Sequence, residues 1–343
     1  MRPLRAGHAK IRPRPLKHAT NRLGGLRKPS VQPRHQELRS PMTICIAALC
    51  SWLHGTKADG TPDFGMAVVT AADRMFTDAG LEIEYETGQG KWAAFGKRVI
   101  ILVADSLPTQ SEILGQLRGS IVDQENITAR EVADLYSGLV LKYKREEAEK
   151  LFLAPYGMTM ESFAESMQDN PNNLIMDLAQ RVLEHSIGVE AIVAGVTAQG
   201  DGALYHVNGS GIITSHLDVG FVSIGSGHYH SNSFLTSRRY WNRWSYRDAV
   251  CAVYAAKRQA ETAPGVGRQT DMILVNREGW DLVEAPMRDA LEAEYAAYTK
   301  QLQKLESGMI KKVWGRVSKT HEKAQATVVV ELSKATKSST PHK

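Results

Sequence analysis

Three residues along one stretch of this chain could act on a carbonyl together. Thr43 follows Met42 directly and opens the run Thr43-Ile44-Cys45-Ile46-Ala47-Ala48-Leu49, Asp73 sits in Ala71-Ala72-Asp73-Arg74, and Lys91 follows Gly88-Gln89-Gly90. A threonine that becomes a chain terminus carries its own base, because a free α-amine titrates near ~8 and can take the hydroxyl proton at neutral pH. An Asp and a Lys are enough to tune such a pair. Singly, each residue also has an ordinary role: a β-branched strand residue, a carboxylate closing a strand, a solvated lysine after a glycine turn. Only their joint order speaks for chemistry.

The elements around them must bring 43, 73 and 91 together. Residues 43–50 read as a β strand and 65–73 as its partner, with Gly60, Pro62 and Asp63 between them. Short β runs follow near 81–85, 91–95 and 98–104, and their spacing indicates antiparallel pairing. From 106 to 185 the period becomes helical. Val132, Leu135, Tyr136, Leu139, Val140 and Tyr143 share one face behind a capping box formed by Thr128 and Glu131. A further helix is expected at 173–185, stopping at Gly188.

Strand character returns at 190–197, 202–207, 211–215 and 221–227. A second capping box, Ser245 with Asp248, starts a helix with Ala249, Val250, Val253 and Tyr254 inward, and a hairpin at 270–275 and 280–284 closes the domain. The class is α+β. Beyond Pro286, the residues Leu291, Tyr295, Tyr298, Leu302 and Leu305 form a narrow stripe that fits packing on the same domain or on one neighbouring helix. A strand is expected at 327–332.

This order resembles the proteasome family of N-terminal-nucleophile hydrolases, both its β-type subunits and the bacterial two-tier peptidase. Those proteins begin with Thr on a first strand, follow with an A-A-D-R-like segment, and then show a lysine before apolar positions, as in Lys91-Trp92-Ala93-Ala94-Phe95. Downstream, a strand ending in Ala194-Gly195, the pair Leu204-Tyr205, and Gly225-Ser226-Gly227 ahead of a helix continue the likeness over about 43–285. The resemblance implies a four-layer αββα sandwich and hydrolysis of peptide or amide bonds through an acyl-enzyme on Thr43. The helical block is longer than the family's, which implies extra helices between 143 and 173. Lys91 would lie beneath the hydroxyl, Asp73 would hold Lys91, and Ser226 would hydrogen-bond the terminal amine and shuttle protons; Ser226 as a plain helix N-cap is the alternative. No cofactor or metal is implied. Partners implied are a peptide or protein substrate, further copies of the chain with a ring as one arrangement, and an ATP-dependent unfoldase.

Two departures from the family pattern concern the site. Ala104-Asp105 stands where the family places the glycine whose N–H forms the oxyanion hole, and a lost donor there costs ~2.7–4 kcal/mol. Ala263 and Val266 stand where the family has a supporting Asp and Ser. They keep a second reading open, a non-catalytic proteasome-fold structural or assembly subunit with the C-terminal helix as its contact.

Composition narrows the classes further. The 343 residues suit two domains, or one larger domain with tails. The net charge of +5 conceals a segregation: residues 1–41 carry +10 and residues 302–343 carry +6, which leaves the body at −11. An acidic body between basic tails is not a nucleic-acid-binding domain. Three cysteines give no disulfide framework and no metal spacing, which suits a reducing cytoplasm. Runs such as Val99-Ile100-Ile101-Leu102-Val103-Ala104 fall far below the ~18 residues of a membrane span.

Residues 1–42 are expected to be a disordered basic extension with no secretory core. They read as a propeptide, as an Arg-rich targeting or nucleic-acid arm, or as a mis-assigned start with translation beginning at Met42. The last is favoured, since initiator removal would expose Thr43 in one step. The domain plan is then 43–285 for the hydrolase-like domain with an enlarged helical region at about 106–186, 286–308 for a C-terminal helix, and 309–343 for a basic tail. Cys45 is expected to be a buried strand residue. His228 and His230 are read as surface residues, and the Arg238 to Trp244 cluster as a packing or inter-subunit element.

Overall fold

The computed structural model describes residues 43–338 apart from 79–82, 87, 89, 122–124 and 170. The expectations for 1–42, including disorder, lie outside the described residues. The chain is a mixed α/β protein with two five-stranded antiparallel sheets. The first has the order β10-β1-β2-β11-β12, from β1 (Cys45–Thr56), β2 (Pro62–Asp73), β10 (Phe221–Ile224), β11 (Thr270–Val275) and β12 (Trp280–Leu282). The second has the order β5-β6-β7-β8-β9, from β5 (Trp92–Phe95), β6 (Val99–Asp105), β7 (Val189–Val196), β8 (Gly202–Val207) and β9 (Ile213–Ser215). A two-stranded ribbon, β3 (Met75–Asp78) with β4 (Ile83–Glu86), lies between β2 and β5 in sequence.

The sequence of β1 shows why its sheet is covered on both faces. Residues 44–50 are all buried, and successive side chains of a strand point to opposite faces. Ile46, Ala48 and Cys50 enter a core shared with the helices α5 (His228–Ser237) and α6 (Tyr246–Ala260). Cys45, Ala47 and Leu49 enter a different core, shared with Ile100, Leu102, Ile192 and Leu204 of the second sheet. Strand β7 divides in the same manner. Its Ile192, Ala194 and Val196 face the first sheet, while Ala191 and Val193 pack with α1 (Leu107–Ser120) and α2 (Ala129–Ala148). A run that is apolar at every position is what burial on both faces requires.

Helix α2 starts with the expected capping box: the Glu131 N–H donates to Thr128 Oγ1 at 3.2 Å, and the Thr128 N–H donates to Glu131 Oε2 at 2.8 Å. Such a cap contributes about 1 kcal/mol. Val132, Tyr136 and Val140 are buried as expected, whereas Leu135 is exposed on the helix flank. After α2 come a π turn (Glu149–Leu153), a 3₁₀ turn (Ala154–Tyr156), α3 (Met160–Asp169) and α4 (Asn173–Glu184). They share a small core of Leu153, Phe163, Ile175 and Leu178, separate from the sheets, so the enlarged helical region carries its own packing.

The C-terminal plan differs from expectation. One helix, α7 (Ala285–Ser338), runs through both the segment planned as a short helix and the basic tail, and 327–332 is helical rather than a strand. The Glu, Lys, Ala and Gln residues around Val328, Val329 and Val330 favour helix strongly enough to outweigh three β-branched positions. Leu291 and Tyr295 pack against the core of the first sheet, while Leu305, Met309 and Trp314 are exposed. No helix among the described residues is long and apolar enough to cross a membrane.

Candidate active site

Antiparallel register assembles the site. Cys45 pairs with Ala72 of β2 and with Ile224 of β10, so the two residues before β1, Thr43 and Ile44, are flanked by the end of β2 on one side and by the residues after β10 on the other. Thr43, Asp73 and Gly225-Ser226-Gly227 therefore meet at one edge of the first sheet. Lys91 comes from the second sheet, just before β5, and its carbonyl accepts from the Val103 N–H at 2.9 Å. The three polar side chains are sealed from solvent, at 2% exposure for Thr43, 0% for Asp73 and 3% for Lys91.

The Asp73 carboxylate and the Thr43 hydroxyl are the hubs of this cluster. Asp73 Oδ1 accepts from Thr43 Oγ1 at 2.8 Å, from Lys91 Nζ at 2.7 Å and from the Ile44 N–H at 3.2 Å. Its other oxygen, Oδ2, accepts from the Gly267 N–H at 2.8 Å. Lys91 Nζ also donates to Thr43 Oγ1. Buried charges survive where they are paired and hydrogen-bonded, and this pair is both. An ammonium against a hydroxyl oxygen favours its deprotonated form, which is what a nucleophile needs.

Ser226 completes the cluster from the opposite side. The Thr43 backbone N–H donates to Ser226 Oγ at 3.1 Å, and the Gly227 N–H donates to the Thr43 carbonyl at 3.2 Å. The N-cap of α5 is Gly227 and no side chain caps it, so the alternative role for Ser226 is not the one it has. Gly225 adopts a φ of +87°, and a Cβ there would sit 2.5 Å from Thr43 Cγ2 and closer still to its carbonyl oxygen. Glycine is required on both counts. All four residues singled out in the sequence, Thr43, Asp73, Lys91 and Ser226, thus converge.

Comparison of the chain with protein-family models and with curated proteins finds no match. The functional case rests on the site itself.

The region of Asp105 differs from the rest. Asp105 ends β6 with a φ of +81°, a left-handed backbone uncommon for a residue with a side chain. Burial, reinforced by the like charge of Glu190 and opposed by Lys91, pushes its carboxyl up to about 7. The turn is locked from behind by Gln110, which donates to the Ala104 carbonyl at 2.8 Å and the Glu190 carbonyl at 3.1 Å and accepts from the Tyr136 hydroxyl at 2.8 Å.

Three further expectations meet the structure here. Cys45 is fully buried, its thiol donates to the Val103 carbonyl at 3.4 Å, and burial pushes its pKa far up, so it is not a nucleophile. His230 is exposed, while His228 is partly buried with Nδ1 2.6 Å from the Gly225 carbonyl. In the Arg238 to Trp244 cluster, Tyr240 is a packing residue whose hydroxyl donates to the Leu49 carbonyl at 2.7 Å. Ala263 and Val266 are buried in the core of the first sheet. No group of three or more His, Cys, Asp or Glu among the described residues is arranged to hold a metal ion.

Sequence reasoning missed Gly267, whose contribution is a backbone N–H and leaves no trace in residue type. It also missed the ion pair of Arg74 with buried Asp271, which ties the residue after Asp73 to β11 at 3.0 Å. A signal existed for Asp271: a lone carboxylate next to the apolar run 272–275 needs a cation.

Proposed function

We propose that this chain is a proteasome-like threonine hydrolase that cleaves peptide or amide bonds, built on the four-layer αββα sandwich of the N-terminal-nucleophile hydrolases. One observation carries the reading: the hydroxyl of Thr43, the carboxylate of Asp73 and the ammonium of Lys91 share a single buried hydrogen-bonded cluster at the start of a strand. While Met42 is attached, the nitrogen of Thr43 is an amide and has no basicity. Cleavage between 42 and 43 frees an amine next to the hydroxyl.

The amine then takes the Oγ1 proton as Oγ1 attacks the substrate carbonyl carbon. Collapse of the tetrahedral intermediate breaks the C–N bond, the proton passes from the amine to the leaving nitrogen, and an ester on Oγ1 remains. A water deprotonated by the same amine attacks the ester, releases the acid and restores the hydroxyl. Lys91 stabilises negative charge on Oγ1, Asp73 holds Lys91, and Ser226 orients the amine and relays its proton. The backbone N–H of residue 105 is the oxyanion donor in this scheme. By the same reading the protein acts in the cytoplasm as a homo-oligomer, a ring being one arrangement, with an ATP-dependent unfoldase as candidate partner.

A second reading, a non-catalytic structural or assembly subunit of the same fold, is favoured by the Asp105 carboxyl at the oxyanion position. Two measurements separate the two. Intact-mass analysis of the native protein finds Thr43 as first residue if the enzyme reading holds, and a retained preceding segment rejects it. Thr43→Ala abolishes covalent capture by a peptide-derived electrophile, with a loss of at least ~1000-fold in rate.

A further inference from the structure

The molecule contains a second buried lysine that the proposed chemistry does not use. Lys257 lies on the inward face of α6, in step with Val250, Val253 and Tyr254, and is 0% exposed. Its ammonium donates to the Gly267 carbonyl at 2.8 Å and the Arg268 carbonyl at 2.8 Å, and it pairs with Glu261 one turn on. Burial lowers its pKa, the Glu261 carboxylate opposes that shift, and Asp73 itself acts on it through space in the same sense as Glu261. An aliphatic residue would fill this core position at lower desolvation cost, so the ammonium is there for what it binds.

What it binds is the backbone of the loop that serves the site. The Gly267 backbone is held on both sides of its Cα: its carbonyl accepts from Lys257 Nζ, and its N–H donates to Asp73 Oδ2 at 2.8 Å. With Oδ2 fixed in this way, Oδ1 is left facing Thr43 Oγ1, Lys91 Nζ and the Ile44 N–H. The buried apolar side chains of Ala263 and Val266 in the same loop offer no polar group for that purpose. We propose that Lys257 is a positioning residue for the Thr43 site: by gripping the Gly267 and Arg268 carbonyls it aims the Gly267 N–H at Asp73 and thereby sets the rotation of the carboxylate beneath the nucleophile. The inference rests on the hydrolase reading of Thr43.

The test uses the full chain with Lys257→Met, Lys257→Gln and a packing control, Val253→Ala, from the same helix and core. Hydrogen–deuterium exchange of the peptide covering 264–270 reads the loop. The kcat and KM for a fluorogenic peptide read the site. Expected is exchange at least ten-fold faster in Lys257→Met than in Val253→Ala, a kcat at least ten-fold lower and a KM within two-fold of wild type. Lys257→Gln, which keeps a donor, should recover part of both losses, and it carries the test alone if the methionine variant does not fold. Unchanged exchange at 264–270 overturns the proposal, as does faster exchange with an unchanged kcat. Failure of the parent reading is distinct: the wild type would then show no turnover, or Thr43→Ala would leave it intact.

Discussion

The two carboxylate flanks of Lys91 are built on opposite principles. Toward Asp73, a buried carboxylate meets a hydroxyl, an ammonium and two backbone N–H groups, so that charge and hydrogen bonding close on themselves. Toward Asp105, a carboxyl sits on a left-handed backbone against the like charge of Glu190. The first flank is held by its own interactions, whereas the second is held from outside by the Gln110 clamp. Where a protein keeps an unfavourable local arrangement, the surrounding structure must over-determine it, and such places cluster at functional sites.

Substitution at Asp73 should have the largest effect. Asp73→Ala leaves Lys91 buried beside a hydroxyl without its carboxylate, and we expect a loss of about 3–5 kcal/mol in chemical denaturation together with loss of turnover. Retention of full stability would mean that Lys91 finds another partner and that the first flank is not self-contained.

Asp105→Gly should act in the opposite direction. Glycine adopts φ near +81° without the penalty of about 1–2 kcal/mol that other residues meet, less its own entropic cost of about 0.5–1 kcal/mol, so a net gain of up to about 1.5 kcal/mol is expected. The pH dependence changes as well. In the unfolded chain this carboxyl titrates near 3.8 and in the folded protein at about 7, so between those values the folded state holds the extra proton. Its contribution is therefore destabilising as pH rises from about 4 to 7, and constant above that. In Asp105→Gly the stability measured by denaturant at successive pH values should fall less steeply through that window; an unchanged slope would show that Asp105 ionises normally.

The smallest effect belongs to Ser226→Ala. Removing one hydrogen-bond partner of the Thr43 N–H should cost about 1 kcal/mol in stability. Turnover should fall by ~100-fold if the serine also relays a proton, and by far less if it only orients the residue.

The strands at 44–50 and 67–72 were legible in their side chains, the first apolar throughout and the second broken only by Thr70, while the convergence of Thr43, Asp73, Lys91 and Ser226 was legible only through the resemblance of their order to a known family. Asp105 was legible as a misfit in type, but not as a left-handed turn, since the Gln110 clamp reaches it from a helix whose own pattern says nothing about β6. Lys257 was legible in principle. It falls on the apolar stripe of α6, where a cation needs a reason, yet its partners are carbonyls and carbonyls have no letter in a sequence. The extent of α7 escaped because its boundaries depend on weak propensities summed over many residues, with no packing on the core of the first sheet beyond Tyr295 among the described residues to mark an end.

The close fit of Gly225 against the threonine has a consequence for any library of variants. A screen that tolerates all twenty amino acids at this codon would return one letter among active clones. Even alanine would fail there while larger changes on the exposed outer helix pass, which makes position 225 a sentinel for whether a selection is reporting on the threonine at all.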